Sequence, residues 1–239
     1  MIIGRKKEMA ELQEAVNSQY SEFVAVYGRR RVGKTFLIRE FFNNKFTFQH
    51  SGLANSDFKQ QLLAWKSSLS DYGMKVRATP KNWIEAFDLL KDLIRNSNEP
   101  KKVIFIDEMP WMDTKRSEFL PALEFFWNGW ASARKDIVLV ICGSATSWII
   151  NKVIKNHGGL HNRITAQIHL HQFSLAEVEE FFNDMNYNFT RDMVLQYFMA
   201  LGGVPYYLQL VQRGESFAQF IDRVFFSNGI LAQEYDRLF

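Results

Sequence analysis

Gly28-Arg29-Arg30-Arg31-Val32-Gly33-Lys34-Thr35 has the spacing G-x-x-x-x-G-K-[ST]. Glycines let backbone N–H groups wrap an anion, and a helix starting at the loop adds its positive end. Lys34 would then reach the outer phosphates of a nucleotide, and the Thr35 hydroxyl would ligate Mg²⁺. With Phe36, residues 28–36 are the expected nucleotide contacts. The loop follows the apolar run Phe23-Val-Ala-Val-Tyr27 and precedes a helical pattern, the context this chemistry needs. A second constellation closes the apolar run Val103-Ile-Phe-Ile106: the acids Asp107 and Glu108. An acid at the tip of a parallel strand faces the ligand crevice. Asp107 is expected to hold Mg²⁺ and Glu108 to polarise the attacking water as general base. A bare glycine turn and a surface acid pair are the alternatives, and the two motifs occurring together argue against both. The guanine-reading pattern Asn-Lys-x-Asp is absent; Asn151-Lys152 is not followed by the Asp. The expected nucleotide is therefore ATP rather than GTP.

These residues need a scaffold. Lys6 to Gln19 reads as an amphipathic helix, Phe23 to Tyr27 as a buried strand and Arg31 to Phe42 as a helix. Phe46 to His50 is a short strand, followed by helices over 57–72 and 83–95. Val103 to Asp107 and Ile137 to Cys142 are strands apolar on both faces, with a helix over 117–133 between them. A helix over 147–155 and a strand over 164–170 follow. Strands apolar on both faces, separated by helices, indicate a parallel sheet between helix layers. After Gln172 the strand pattern stops. Ser174-Leu-Ala-Glu177 has capping-box spacing, and helices over 174–185, 190–200, 205–212 and 216–226 are expected. The expected organisation is an α/β core over 1–172 and a small helical domain over 173–239.

Composition narrows the class. The 239 residues are 47% hydrophobic and 23% charged, which excludes wholesale disorder. Net charge is only +3, so the chain is no dedicated nucleic-acid binder by charge alone. The single cysteine, Cys142, excludes an internal disulfide framework and fits a reducing compartment. No apolar run reaches membrane-span length, and the start Met-Ile-Ile-Gly-Arg-Lys-Lys is no secretory signal, so the expected location is cytoplasmic. His157 and His161, at i, i+4, are interrupted by Gly158 and Gly159, and with His169 and His171 they do not make a convincing zinc set.

Taken together, these motifs resemble the AAA+ superfamily of P-loop ATPases, and within it the STAND-like and archaeal-type branch. Ile2-Ile3-Gly4-Arg5-x-x-Glu8 is similar to that group's N-terminal motif, which implies that Ile2, Ile3, Gly4 and Arg5 line the adenine pocket; Lys6 departs from the Glu often found there. The Gly28-Arg29-Arg30 start of the loop is typical of the group. Val140-Ile-Cys-Gly-Ser144 ends an apolar strand at the sensor-1 position, implying that Ser144 contacts the γ-phosphate or the water. Gly202-Gly-Val-Pro205 looks like the group's Gly-x-Pro motif, implying that Pro205 lies over the nucleotide and reports its state to a helical lid. Arg163 stands where such proteins often place an arginine finger; a local surface ion pair is the alternative, and the two are evenly matched.

The resemblance implies a three-layer fold with strand order 5-1-4-3-2, followed by the lid. It implies an ATP- and Mg²⁺-dependent hydrolytic switch, with nucleotide held between core and lid. The rival reading is a nucleotide-gated DNA- or protein-binding module with little turnover. Homo-oligomerisation is compatible with either. A DNA or protein partner would act through a C-terminal output domain that the 239 residues do not contain; the amphipathic ending over 230–239 looks like a lead into one.

Overall fold

Phe23-Val-Ala-Val26 has no exposed side chain, so its strand must lie inside a sheet covered on both faces. In the computed structural model this strand, β1 (Glu22–Tyr27), runs parallel to β4 (Ile137–Gly143) on one side and β5 (Ala166–His169) on the other. β3 (Lys102–Asp107) pairs with β4, and β2 (Phe48–Ser51) pairs with β3, both parallel. The order across the sheet is β2-β3-β4-β1-β5, which read from the opposite edge is 5-1-4-3-2. The structure describes residues 2–155, 158–160, 162–226 and 229–238, the last four by backbone alone. His157 and His161 lie outside the described residues.

The described chain packs as two compact units. One comprises residues 6–29 and 34–170; the other comprises 1–5, 30–33 and 171–239. The first unit holds the sheet and α1 (Lys6–Asn17), α2 (Lys34–Phe41), α3 (Phe58–Asp71), α4 (Trp83–Asn96), α5 (Phe119–Gly129) and the single turn α6 (Thr146–Trp148). Its core is aromatic: Trp65 meets Trp83 edge-on at 5.4 Å, and Phe87 stacks on Phe126 at 5.1 Å. Such pairs add about 0.5–1.5 kcal/mol each beyond burial. The second unit is helical: α7 (Leu175–Asp184), α8 (Arg191–Leu201), α9 (Pro205–Leu208), α10 (Phe217–Phe225) and α11 (Ile230–Leu238). Phe173, Phe182, Tyr197, Leu208 and Phe220 form its core, and Ile3 packs against them.

Several boundaries differ from the sequence expectation, each for a local reason. α2 begins at Lys34, not Arg31, because Arg31 and Gly33 have positive φ (70° and 91°), which no right-handed helix accommodates. The helix expected over 117–133 is α5 alone: Glu118 is left-handed before it, and Trp130, at φ −147°, breaks it from a 3-10 turn at Ala131–Ala133. Residues 149–154 continue α6 as a π-helical turn rather than an α-helix. The last strand shortens to Ala166–His169, the stretch that finds partners on β1 at residues 24–27. α9 stops at Leu208, after which i→i+3 bonds (Leu210 N–H to Tyr207 O, Val211 N–H to Leu208 O) turn the chain and bury Val211. Met109–Met112, a 3-10 turn directly after Glu108, had no sequence signal beyond Pro110.

Candidate functional site

β1 and α2 are joined by residues 28–33, and the geometry of that turn explains its glycines. A Cβ on Gly28 would stand 2.2 Å from the Leu170 carbonyl oxygen, so only glycine fits. Gly33 has open space around it but φ of 91°, a conformation that L side chains rarely adopt. Between them Arg31 is left-handed without being glycine, at a cost of about 1–2 kcal/mol. Alternation of right- and left-handed residues turns successive N–H groups to one side and makes an anion-binding concavity.

Lys34 opens α2 and is 6% exposed; its Nζ donates to the carbonyls of Gly28 (3.0 Å) and Arg29 (2.8 Å). A buried ammonium held by neutral carbonyls is poorly compensated, and an anion in the loop would complete it. Thr35 Oγ1 donates to Asp107 Oδ2 at 2.8 Å. Asp107 is 5% exposed at the end of β3, and its Oδ1 accepts from the Glu108 N–H at 2.9 Å. A hydroxyl and a carboxylate side by side form the hard-oxygen donor set that Mg²⁺ prefers, so these residues fit the metal.

Glu108 sits in the left-handed region (φ 44°, ψ 42°), which swings its carboxylate off the line of β3. Its Oε2 accepts from the Ser144 hydroxyl (3.1 Å) and the Ser144 N–H (3.3 Å), at the end of β4. Thr35, Asp107, Glu108 and Ser144 are thus brought together at the C-terminal edge of neighbouring strands. Cys142 lies beneath them; burial pushes its thiol well above the usual range, and the neighbouring Asp107 carboxylate acts in the same direction. Phe36 is 53% exposed on α2. Arg163 is exposed in the turn before β5, its N–H donating to Leu160 O at 3.0 Å.

In the helical unit, residues 2–5 are tightly held. Arg5 is 5% exposed, donates to Val32 O (3.2 Å) and His171 O (2.6 Å), and lies 4.7 Å over the Phe173 ring. Gly4 abuts Glu177, whose Oε1 accepts from the Arg5 N–H at 3.4 Å. Burial pulls the Glu177 pKa up, but the hydrogen bonds from Ser174 and Arg5 hold it below the usual range. Pro205 starts α9, half-buried, followed by Tyr206 and Tyr207. Arg31 lies 4.5 Å over Tyr206, donates to Tyr207 Oη (3.2 Å) and ion-pairs with Glu234 of α11. Tyr206, Tyr207 and Glu234 were not among the expected site residues. Two tyrosines directly after Pro205 were the only signal, and nothing in the sequence tied Glu234 to a loop some 200 residues earlier. Glu177 had a signal, but it read only as a helix cap.

Among the described residues no helix is long and apolar enough to cross a membrane. Residues 2–211 match the family described as an ATPase domain predominantly from Archaea. A relative from Methanocaldococcus jannaschii, itself uncharacterised, is 25% identical over 212 residues, 89% of this chain. The chain spans only 44% of that relative's length. Among solved structures, the Walker-type ATPase of Pyrococcus abyssi superposes with a TM-score of 0.72 at 19% identity, covering 99% of this chain and 75% of that one. A STAND protein with a tetratricopeptide-repeat sensor from Pyrococcus horikoshii gives 0.60 at 19% identity, covering 92% of this chain and 32% of that one. The parallel five-stranded sheet agrees with these likenesses of fold, and the chain belongs to the family of ATPase domains found predominantly in Archaea.

Proposed function

We propose that the chain binds ATP with Mg²⁺ at residues 28–36 and hydrolyses it, the helical unit reading the nucleotide state. The observation that carries this reading is the Thr35–Asp107 contact at 2.8 Å beside the buried Lys34. In this reading the loop N–H groups and Lys34 take the phosphates, and Thr35 and Asp107 hold the metal, whose contribution is to neutralise charge on the transferring phosphoryl group. Glu108 orients and deprotonates the attacking water, and Ser144 holds the Glu108 carboxylate in place or contacts the γ-phosphate. Ile2, Ile3, Gly4, Arg5 and Pro205 frame the adenine. Arg163, exposed as it is, is free to act as a finger on a neighbouring copy. A change in the helical unit between ATP and ADP states would be the output.

One observation favours a slower variant of this reading. Glu108 Oε2 already accepts two hydrogen bonds from Ser144, so the base is engaged before any water arrives. A nucleotide-gated module for DNA or a partner protein, with low basal turnover, follows from that. The deciding experiment is phosphate release by the chain with ATP and Mg²⁺, with and without duplex DNA, beside Lys34→Ala and Asp107→Asn. Turnover lost in both variants supports hydrolysis at this site; full turnover in either sinks it. Stimulation by DNA selects the gated module.

A further inference from the structure

We infer that Tyr207 and Glu234 are positioning residues that hold the phosphate loop in its anion-binding form through Arg31. The inference rests on the functional reading above and adds to it a control point on α11.

Arg31 occupies the middle of the loop with φ of 70°. A non-glycine residue keeps that conformation only where its surroundings over-determine it. Those surroundings are Tyr206, Tyr207 and Glu234. Glu234 on α11, with a side chain 15% exposed, ion-pairs with the guanidinium. Tyr207 Oη accepts from Arg31 at 3.2 Å and donates to Glu234 Oε2 at 2.8 Å, closing a three-membered network. The Tyr206 and Tyr207 rings lie 4.5 Å and 5.4 Å from the guanidinium carbon. A partly shielded, three-way network of this kind is worth more than a surface ion pair. Next along the loop, the Val32 carbonyl is fixed by Arg5. Residues 31 and 32 are therefore pinned from two directions, while a Cβ on Gly33 would meet nothing within 4 Å.

The consequence follows from loop geometry. The left-handed turn at Arg31 is part of the alternation that aims successive N–H groups at a phosphate. Without its anchors the loop relaxes into other conformers, and binding must then select the competent fraction. By linkage, what holds the loop for nucleotide is itself held by nucleotide, so ATP would tighten α11.

The test is ATP and ADP affinity of the full chain by calorimetry, for wild type, Glu234→Gln, Tyr207→Phe and the double variant, with folding checked by circular dichroism. Dissociation constants about fivefold weaker in each single variant are expected, with a double variant little worse than either because one network is lost once. Arg31→Gly needs no anchor for a left-handed backbone, so adding Glu234→Gln to it should change affinity by less than about twofold. Hydrogen exchange at residues 230–234 should slow when ATP is added to wild type. A merely structural role for Glu234 would not make its effect vanish in the Arg31→Gly background. Affinities within about twofold of wild type in both single variants overturn the inference while leaving the ATPase reading intact. A wild-type chain that binds no nucleotide overturns that reading, and the inference with it.

Discussion

Acidification should destabilise this protein through one histidine. His50 on β2 is 3% exposed, with Nδ1 2.9 Å from Ser68 Oγ and Nε2 without a partner. Its ring lies against Trp65 at 4.9 Å, and burial lowers its pKa from 6.5 to about 4. The unfolded chain therefore takes up a proton as pH falls through 6.5, and the folded chain refuses it until about 4. The stability contributed by neutral His50 is complete above 6.5 and is lost as pH drops from 6.5 toward 4. Between about pH 7.5 and pH 5 the loss is about 2 kcal/mol, of about 3 kcal/mol over the whole window. The assay is urea unfolding at those two pH values, followed by circular dichroism, for wild type and His50→Phe. Phenylalanine keeps an aromatic ring and cannot titrate, and any repacking cost cancels in the pH difference. Wild type should lose about 2 kcal/mol more than the variant on acidification. Equal pH slopes would refute the argument. The effect bears on function, because β2 is paired with β3 and Ser51 stands in register with Asp107.

Three other outcomes follow from the site. Arg5→Met removes two charged hydrogen bonds, a buried one to the Val32 carbonyl and a part-buried one to the His171 carbonyl, and should cost about 3 kcal/mol in urea unfolding; a loss below about 0.5 kcal/mol would show that solvent satisfies those carbonyls. Glu108→Gln should lower ATP turnover by about 100- to 10,000-fold while nucleotide affinity stays near wild type, and unchanged turnover removes Glu108 as the base. Cys142, buried with its thiol pKa raised, should resist iodoacetamide in the native protein and react after denaturation, as mass spectrometry would read; rapid native labelling contradicts its placement beneath Asp107.

The sheet was legible because its three central strands, β1, β3 and β4, are apolar on both faces, a pattern that few other elements produce. The placement of Lys34, Thr35, Asp107 and Glu108 was legible for a related reason: each stands at a fixed offset from the end of such a strand. What stayed hidden depends on backbone sign and on distance along the chain. Nothing in the letters Arg-Arg-Arg says which arginine turns left-handed, yet that turn delays α2 to Lys34. The Arg31–Glu234 pair joins residues that no local pattern connects. The expectation that Ser144 faces the phosphate or the water came from the family resemblance at the end of its strand; its hydrogen bonds to Glu108 needed coordinates, because they depend on the left-handed backbone of Glu108. Similarly, Trp130 continues the helical pattern of α5 by type but not by φ.

The aromatic core has an optical consequence. All six tryptophans (Trp65, Trp83, Trp111, Trp127, Trp130 and Trp148) fall in the unit that carries the sheet, and residues 171–239 contain none. Red-edge excitation therefore illuminates the sheet unit alone, although the helical unit is crowded with Phe and Tyr. Trp65, Trp83 and Trp127 are buried and should emit to the blue, while Trp148 is half-buried and donates to Asp113 Oδ2 at 3.2 Å. The protein thus carries its own reporter for one unit and leaves the other dark at that wavelength.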